Sequence, residues 1–400
     1  MKNLYLFCII PVFLSICIGA GPQDSVLTGF IDVPDGKLYY EMTGQGDESM
    51  VLIHDGLVHA VVWDAQVSAF KEKYRIVRYD RRGYGRSPKP EKPFSNIEDL
   101  NTVFTSLKID KAILIGMSAG GGLAIDFTIH YPEKVSYLVV VGAIVGGFTY
   151  SDHFRTRGGR LTAEDFADRG KLLRYFVMED PYETAPQNKA VKEKLWKIME
   201  ANPQNIDFEK NRLDQPPKRK AIDGLNQINI PVLIIDGEYD IPDVFAHAGA
   251  IDAGIANAKR VVVSNAGHLV PFEKPELFNK EVLNFLNNAA FFQALNTKGV
   301  EAAAELFYRK HKADPDWIPF SEMEMNILGY QHLQDGKTRE AIELFKLNVA
   351  AYPESSNTYD SLGEAYMNSG DKELAIQNYK KSLELNPGND NAVEMLKLLQ

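Results

Sequence analysis

The chain has 400 residues, 45% hydrophobic and 24% charged, with a formal net charge of −10. Those proportions describe a globular chain too long for one ordinary core, so two domains are expected and disorder is excluded. The negative balance, with Arg81-Arg82 and Lys218-Arg219-Lys220 as short, isolated basic runs, excludes a surface that tracks nucleic-acid phosphates or an anionic membrane.

Met1-Lys2-Asn3, the apolar run Leu4 to Ile18 and the small residues Gly19-Ala20-Gly21 read as a secretory signal over residues 1–20, cleaved near Ala20. The run is short for a membrane span, so export to the periplasm or the outside is expected, with no span left after cleavage. Both cysteines, Cys8 and Cys17, lie in this leader, so the mature chain is expected to have no disulfide and no cysteine metal site. Lipid attachment at Cys17 is disfavoured, because Ile16 stands where a lipoprotein cleavage box has a small residue.

From Gly29 short apolar strands alternate with longer amphipathic stretches, the pattern of a sheet covered by helices. Lys37–Met42, Met50–His54 and Tyr74–Asp80 read as strands, Trp63–Glu72 and Ile97–Leu107 as helices. Ala112–Ile115, Val135–Gly142, Pro231–Asp236 and Arg260–Ser264 complete the strands, and a helix over Pro275–Asn288 closes the unit at about residues 29–290. Continuous runs such as Leu138-Val139-Val140-Val141 suit strands buried on both faces, as in a parallel sheet. Residues 143–227 break the alternation with helical periodicity and no strand, which predicts a helical lid over the carboxyl ends of the strands. Its aromatics Phe148, Tyr150, Phe154, Phe166, Tyr175 and Phe176 are expected to pack the lid core rather than touch substrate.

Beyond Asn288 the pattern is all-helical, and a 34-residue period appears: Leu328-Gly329 recurs as Leu362-Gly363, Ala341-Ile342 as Ala375-Ile376, Phe345 as Tyr379 and Pro353 as Pro387. This order resembles the tetratricopeptide repeat, with units at about 322–355 and 356–389 in a domain spanning 296–400. Two repeats bury too little alone, so Val300–Lys310 and Asn391–Leu399 are expected to cap them, with the first domain as a further neighbour.

Gly116-Met117-Ser118-Ala119-Gly120 joins the strand ending at Ile115 to a small-residue helix start, Gly121-Gly122-Leu123-Ala124. A serine on so sharp a turn needs near-bare neighbours two residues either side and stands at a helix N-terminus, where free N–H groups and the dipole favour an oxyanion. Acyl transfer also needs a base and a carboxylate to hold it. His268, in the loop after Ser264, is the candidate base. Asp240, just past the strand ending at Asp236, is the candidate carboxylate, with Asp236 and Asp243 as competitors. His54 reads as a motif-stabilising residue, and His59, His130, His153 and His247 as solvent or packing histidines. No spaced His/carboxylate set suggests a metal and no Gly-x-Gly-x-x-Gly a dinucleotide, so no cofactor is expected.

Together with Leu52-Ile53-His54-Asp55-Gly56, Tyr79 to Ser87, Gly237-Glu238-Tyr239-Asp240 and Gly267-His268 to Pro275, the serine turn makes residues 29–290 resemble the α/β-hydrolase superfamily. The resemblance implies Ser118 as nucleophile, His268 as general base and acid, Asp240 as orienting carboxylate, and the backbone N–H groups of Ala119 and Gly56 as oxyanion donors. It implies a structural role for Asp80 to Ser87. Asp55 departs from the usual His-Gly, and is expected to point away from the oxyanion site. The expected architecture is an α/β-hydrolase sheet with a helical lid followed by an all-α repeat domain. The expected activity is an exported serine hydrolase acting on a small-molecule carboxylic ester first, an amide or lactone second. The framework also serves carbon–carbon bond hydrolases, haloperoxidases and aminopeptidases. For an iminopeptidase, Glu179, Glu183 or Glu193 would hold the amine. The competing expectation is a non-enzymatic scaffold whose repeats bind a peptide or partner protein.

Overall fold

The computed structural model describes residues 26–162 and 164–399. The leader, with Cys8 and Cys17, lies outside the described residues. Eight strands among the described residues form one sheet: β1 (Leu27–Val33), β2 (Gly36–Thr43), β3 (Ser49–Ile53), β4 (Arg75–Tyr79), β5 (Ala112–Met117), β6 (Val135–Val141), β7 (Val232–Gly237) and β8 (Ala258–Val263). Their spatial order is β1-β2-β4-β3-β5-β6-β7-β8. β1, β2 and β4 pair antiparallel, and β4, β3 and all later strands pair parallel. β1 has no counterpart among the expected strands. It is an edge strand with exposed Leu27 and Phe30, so its apolar pattern is diluted.

The two faces of the central strands sort their side chains by parity, as pleating requires. On β5, Ile113, Ile115 and Met117 join one apolar cluster, while Ala112 and Leu114 join the other. The first cluster is covered by α1 (Asp64–Phe70) and by α9 (Pro275–Lys298) through Phe278, Val282 and Phe285. The second is covered by α2 (Asn96–Ser106), α3 (Ala119–His130) and α7 (Pro242–Gly254), the last through Ala248 and Ile251. α7 was not anticipated, because its Ala/Gly-rich sequence carries almost no amphipathic contrast. The lid is built from the short helices α4 (Asp152–Thr156), α5 (Arg169–Arg174) and α6 (Lys189–Glu200), joined by single turns. α8 (Val270–Glu273) is one turn leading into α9.

β3 pairs with β4 on one side and β5 on the other, so the chain goes out to β4 and returns across β3. Loops leaving the carboxyl ends of β3 and β5 therefore diverge, which opens the crevice characteristic of such a switch point.

α9 does not stop near Asn288. It continues to Lys298 and carries Phe291 into a separate cluster with Ala303, Phe307, Trp317 and Phe320. α10 (Val300–Ala313) follows, then the helix pairs α11 (Glu322–Gln334) with α12 (Thr338–Ala351) and α13 (Ser356–Ser369) with α14 (Lys372–Leu385), and a terminal α15 (Asp390–Leu399). The period has a packing cause: a Cβ at Gly329 would lie 2.5 Å from the Phe345 ring, and one at Gly363 3.1 Å from Tyr379. No helix among the described residues is long and apolar enough to cross a membrane.

Candidate active site

Ser118 is the residue between β5 and α3, with φ 53° and ψ −117°, a strained conformation for a non-glycine residue. The strain is tolerated because both flanking glycines are tightly enclosed. A Cβ at Gly116 would sit 2.4 Å from the Gly120 carbonyl oxygen, and one at Gly120 2.3 Å from that of His54. The Ser118 N–H donates to Val141 O at the end of β6 (2.8 Å). The next residue, Gly142, has φ 51°, and a Cβ there would lie 2.8 Å from His268 Nδ1 and 3.0 Å from Asp240 Oδ2. Gly142 therefore lets the His268–Asp240 pair settle onto the strand end beside the serine. The sequence signal for it, a glycine ending a continuous apolar strand, was present but was read only as the end of that strand.

Three chain segments thus converge at the carboxyl edge of the sheet. Asp240 accepts from His268 Nδ1 with both oxygens, at 3.0 and 2.9 Å, and from the Ile241 N–H at 2.7 Å. This leaves Nε2 of the imidazole for the cavity that His268 and Ser118 both line. The competing carboxylates are engaged elsewhere: Asp236 accepts from Arg260 Nε at 2.8 Å, and Asp243 from Ser151 N and Oγ at 2.7 Å each. Burial alone would lower the His268 imidazole. The Asp240 carboxylate, with Glu183 and Asp55 beyond it, outweighs burial and raises the group to about 9.

Gly56 and Ala119 line the same cavity, and a Cβ on Gly56 would stand 3.8 Å from that of Ala119. The Ala119 N–H opens α3, where a helix leaves its first donors unpaired. Asp55 turns its carboxylate onto its own loop. It lines the cavity, with Oδ1 accepting from the N–H groups of Leu57 (3.1 Å) and Val58 (2.6 Å). The 55–58 turn needs that acceptor, so the carboxylate folds back on its own loop and the Gly56 N–H keeps no acceptor among the described residues. Burial pushes the Asp55 carboxyl up.

The surrounding loops are held by side chains that do not reach the cavity. His54 is fully buried and held well below its ordinary value by burial; its Nδ1 meets Asp55 O (2.8 Å) and its Nε2 accepts from Arg81 N (2.9 Å). Asp80 ties its own turn to the start of the 60–63 turn, accepting from Arg86 N (2.9 Å) and Ala60 N (3.0 Å). His59, His130, His153 and His247 are absent from the cavity wall.

The cavity holds about 470 Å³, and its lining is mostly apolar. Tyr150, Phe154, Phe166 and Phe176 from the lid line it, which corrects the expectation that they only pack the lid core; Phe148 and Tyr175 do not. Short lid helices bury little by themselves, so their aromatic faces close over the crevice instead. Of the three glutamates considered for an amine, Glu183 lines the cavity. Its Oε1 meets Arg157 Nη2 at 3.0 Å, and burial raises it to about 7. Glu179 pairs outside with Arg174 (2.8 Å), and Glu193 is exposed. Arg157 is also held by Asp180 (3.4 Å) and lies over the rings of Phe154 and Phe176. Among the described residues no group of three or more His, Cys, Asp or Glu is arranged to hold a metal.

The sequence profile of the alpha/beta hydrolase fold matches residues 49–275, and that of the tetratricopeptide repeat matches 356–389. The chain is similar to a 2-hydroxy-6-oxononadienedioate/2-hydroxy-6-oxononatrienedioate hydrolase of Paraburkholderia phymatum, 28% identical over 282 residues, covering 66% of this chain and 96% of the relative. It superposes on the esterase EaEST from Exiguobacterium antarcticum with a TM-score of 0.56 at 23% identity, covering 65% of this chain and 99% of that one. Against an enol-lactonase from Burkholderia xenovorans the values are 0.53 and 21%, over 64% and 99%. These two structural likenesses speak to the fold alone.

Proposed function

We propose, from the premise that this chain belongs to the alpha/beta hydrolase family and is a hydrolase, that it cleaves a neutral carboxylic ester or lactone through an acyl-Ser118 intermediate. The observation that carries the reading is the His268 imidazole, held at Nδ1 by Asp240 in a cavity shared with Ser118. Nε2 takes the Ser118 Oγ proton as Oγ attacks the acyl carbon, and the oxyanion is received by the N–H groups of Ala119 and Gly56. His268 returns the proton to the departing alkoxide. It then takes one from water as the hydroxide attacks the acyl carbon, and gives it to Ser118 Oγ as the acid leaves.

The cavity wall supports a neutral substrate. Its lining is mostly apolar and aromatic, and the buried cation Arg157 is already committed to Asp180 and Glu183. The dianionic substrate in the name of the Paraburkholderia relative would need a free inner cation. Arg155 also lines the cavity but is itself 61% exposed at the side chain. The leader read in residues 1–20 supports export, and the repeats support docking of a partner protein or peptide. A scaffold without activity has no use for a strained serine beside a paired histidine, which weighs against that alternative.

Labelling by an alkyl fluorophosphonate, with turnover of a short aryl ester, tests the reading. Ser118→Ala is expected to abolish labelling and to lower kcat by at least about ten-thousandfold. A variant that keeps either property ends it.

A further inference from the structure

Glu273 lies five residues past His268, at the end of α8, and has no place in the chemistry above. Its carboxylate is buried and fully engaged. Oε2 accepts from Gly267 N (2.8 Å) and Ala185 N (3.0 Å), and Oε1 accepts from Ala185 N (3.1 Å) and Asn188 Nδ2 (3.0 Å). One of those donors belongs to the histidine loop and two belong to the lid. The same loop is bonded to the same lid segment through the backbone: His268 N donates to Tyr182 O (2.7 Å) and Leu269 N to Glu183 O (3.0 Å). The surfaces are in contact throughout, since a Cβ on Gly267 would lie 2.6 Å from Tyr182 O. On the sheet side the loop is held by Tyr239 N to Ala266 O (2.9 Å) and Gln66 Nε2 to Pro271 O (3.1 Å).

We propose that Glu273 is a positioning residue that binds the 182–188 edge of the lid and the His268 loop into one body, so that His268 reaches its working position only when this lid edge is seated. The proposal rests on His268 being the base. Substrate then enters past the 150–176 side of the lid, because opening the 182–188 edge would carry His268 away from Ser118. A carboxylate suits the post, since it accepts three donors at once with no hydrogen of its own to turn against them.

The test compares wild type, Glu273→Gln and Asn188→Ser by steady-state hydrolysis of a p-nitrophenyl ester and by NMR titration of the His268 imidazole. Asn188→Ser keeps an oxygen to cap α6, where Asn188 now accepts from Val191 N (3.3 Å), but removes the amide Nδ2 that reaches Glu273 and leaves only a shorter hydroxyl in its place. It also leaves the charge unchanged. The carboxylates facing His268 are Asp240, Glu183 and Asp55, with Asp180 and Asp236 beyond them. A loosened loop leaves them, so its titration moves down toward the ordinary histidine value. Glu273→Gln is expected to lower kcat about ten- to a hundredfold, as small misplacements of reacting groups do, with KM changed less than about threefold. Asn188→Ser is expected to shift kcat and the titration in the same direction, by less. Folded variants with lower melting temperatures but wild-type kcat and His268 titration would overturn the proposal and leave Glu273 a structural residue. If Glu273→Gln does not fold, Asn188→Ser decides alone. A shifted titration in a protein that hydrolyses no ester would sink the hydrolase reading and leave the clamp standing.

Discussion

At the scale of single residues, the Asp240–His268 pair sets the protein's response to pH. Its folded-state value, raised to about 9, lies above the ordinary histidine value of about 6.5. The pair's contribution to stability is therefore complete below about pH 6.5 and is lost as pH rises through about 9. Asp240→Asn should accordingly lower the melting temperature most near pH 6, and the gap from wild type should close as pH rises to about 9; calorimetry across that range checks it. In the proposed mechanism His268 must be unprotonated to act, so kcat/KM should still be climbing above pH 7. The strand-end positions of Ser118, His268 and Asp240 are legible in the sequence because each follows an apolar strand in a motif with its own backbone demand. Where the Asp55 carboxylate settles depends on the N–H groups of Leu57 and Val58, which no composition reveals.

Among the elements, α9 joins two cores. Phe278, Val282 and Phe285 pack beneath the sheet, and six residues further along the same helix Phe291 is fully buried against Phe292 and Phe320. It runs past Asn288 because the helix carries two apolar faces for two clusters, and a change of face reads in sequence as a break in periodicity. Phe291→Ala should destabilise the repeat array by about 3–5 kcal/mol, the cost of a large cavity in a packed core. Limited proteolysis should then cut the segments after Lys298 first while ester turnover persists. Equal resistance in mutant and wild type would show that Phe291 does not anchor the array.

At the scale of the whole molecule, the two ends of the sheet carry separate concavities. The cavity stands at the carboxyl ends of the strands. A groove of about 800 Å³ lies at their amino ends, where Ser136, Pro231 and Ala258 face Phe292 of α9 and Phe320 before α11. Strands of about six residues put roughly 20 Å of sheet between the two. A chain ending at Ala290, which keeps the apolar face of α9 beneath the sheet and removes Phe291, should therefore hydrolyse a small ester with KM within about twofold of the full chain. A larger change measured by steady-state kinetics would mean that the repeats reach the cavity. By itself the sequence determined the alternating sheet, the helical lid, the 34-residue period and the strand-end positions of Ser118, Asp240 and His268, because each is written in local spacing and backbone demand. Which face the lid aromatics present, which aspartate meets the histidine, how Glu273 joins lid to loop and how one helix serves two cores were decided only by tertiary structure. They depend on which donors and apolar surfaces remain unpaired once segments distant in the chain have met.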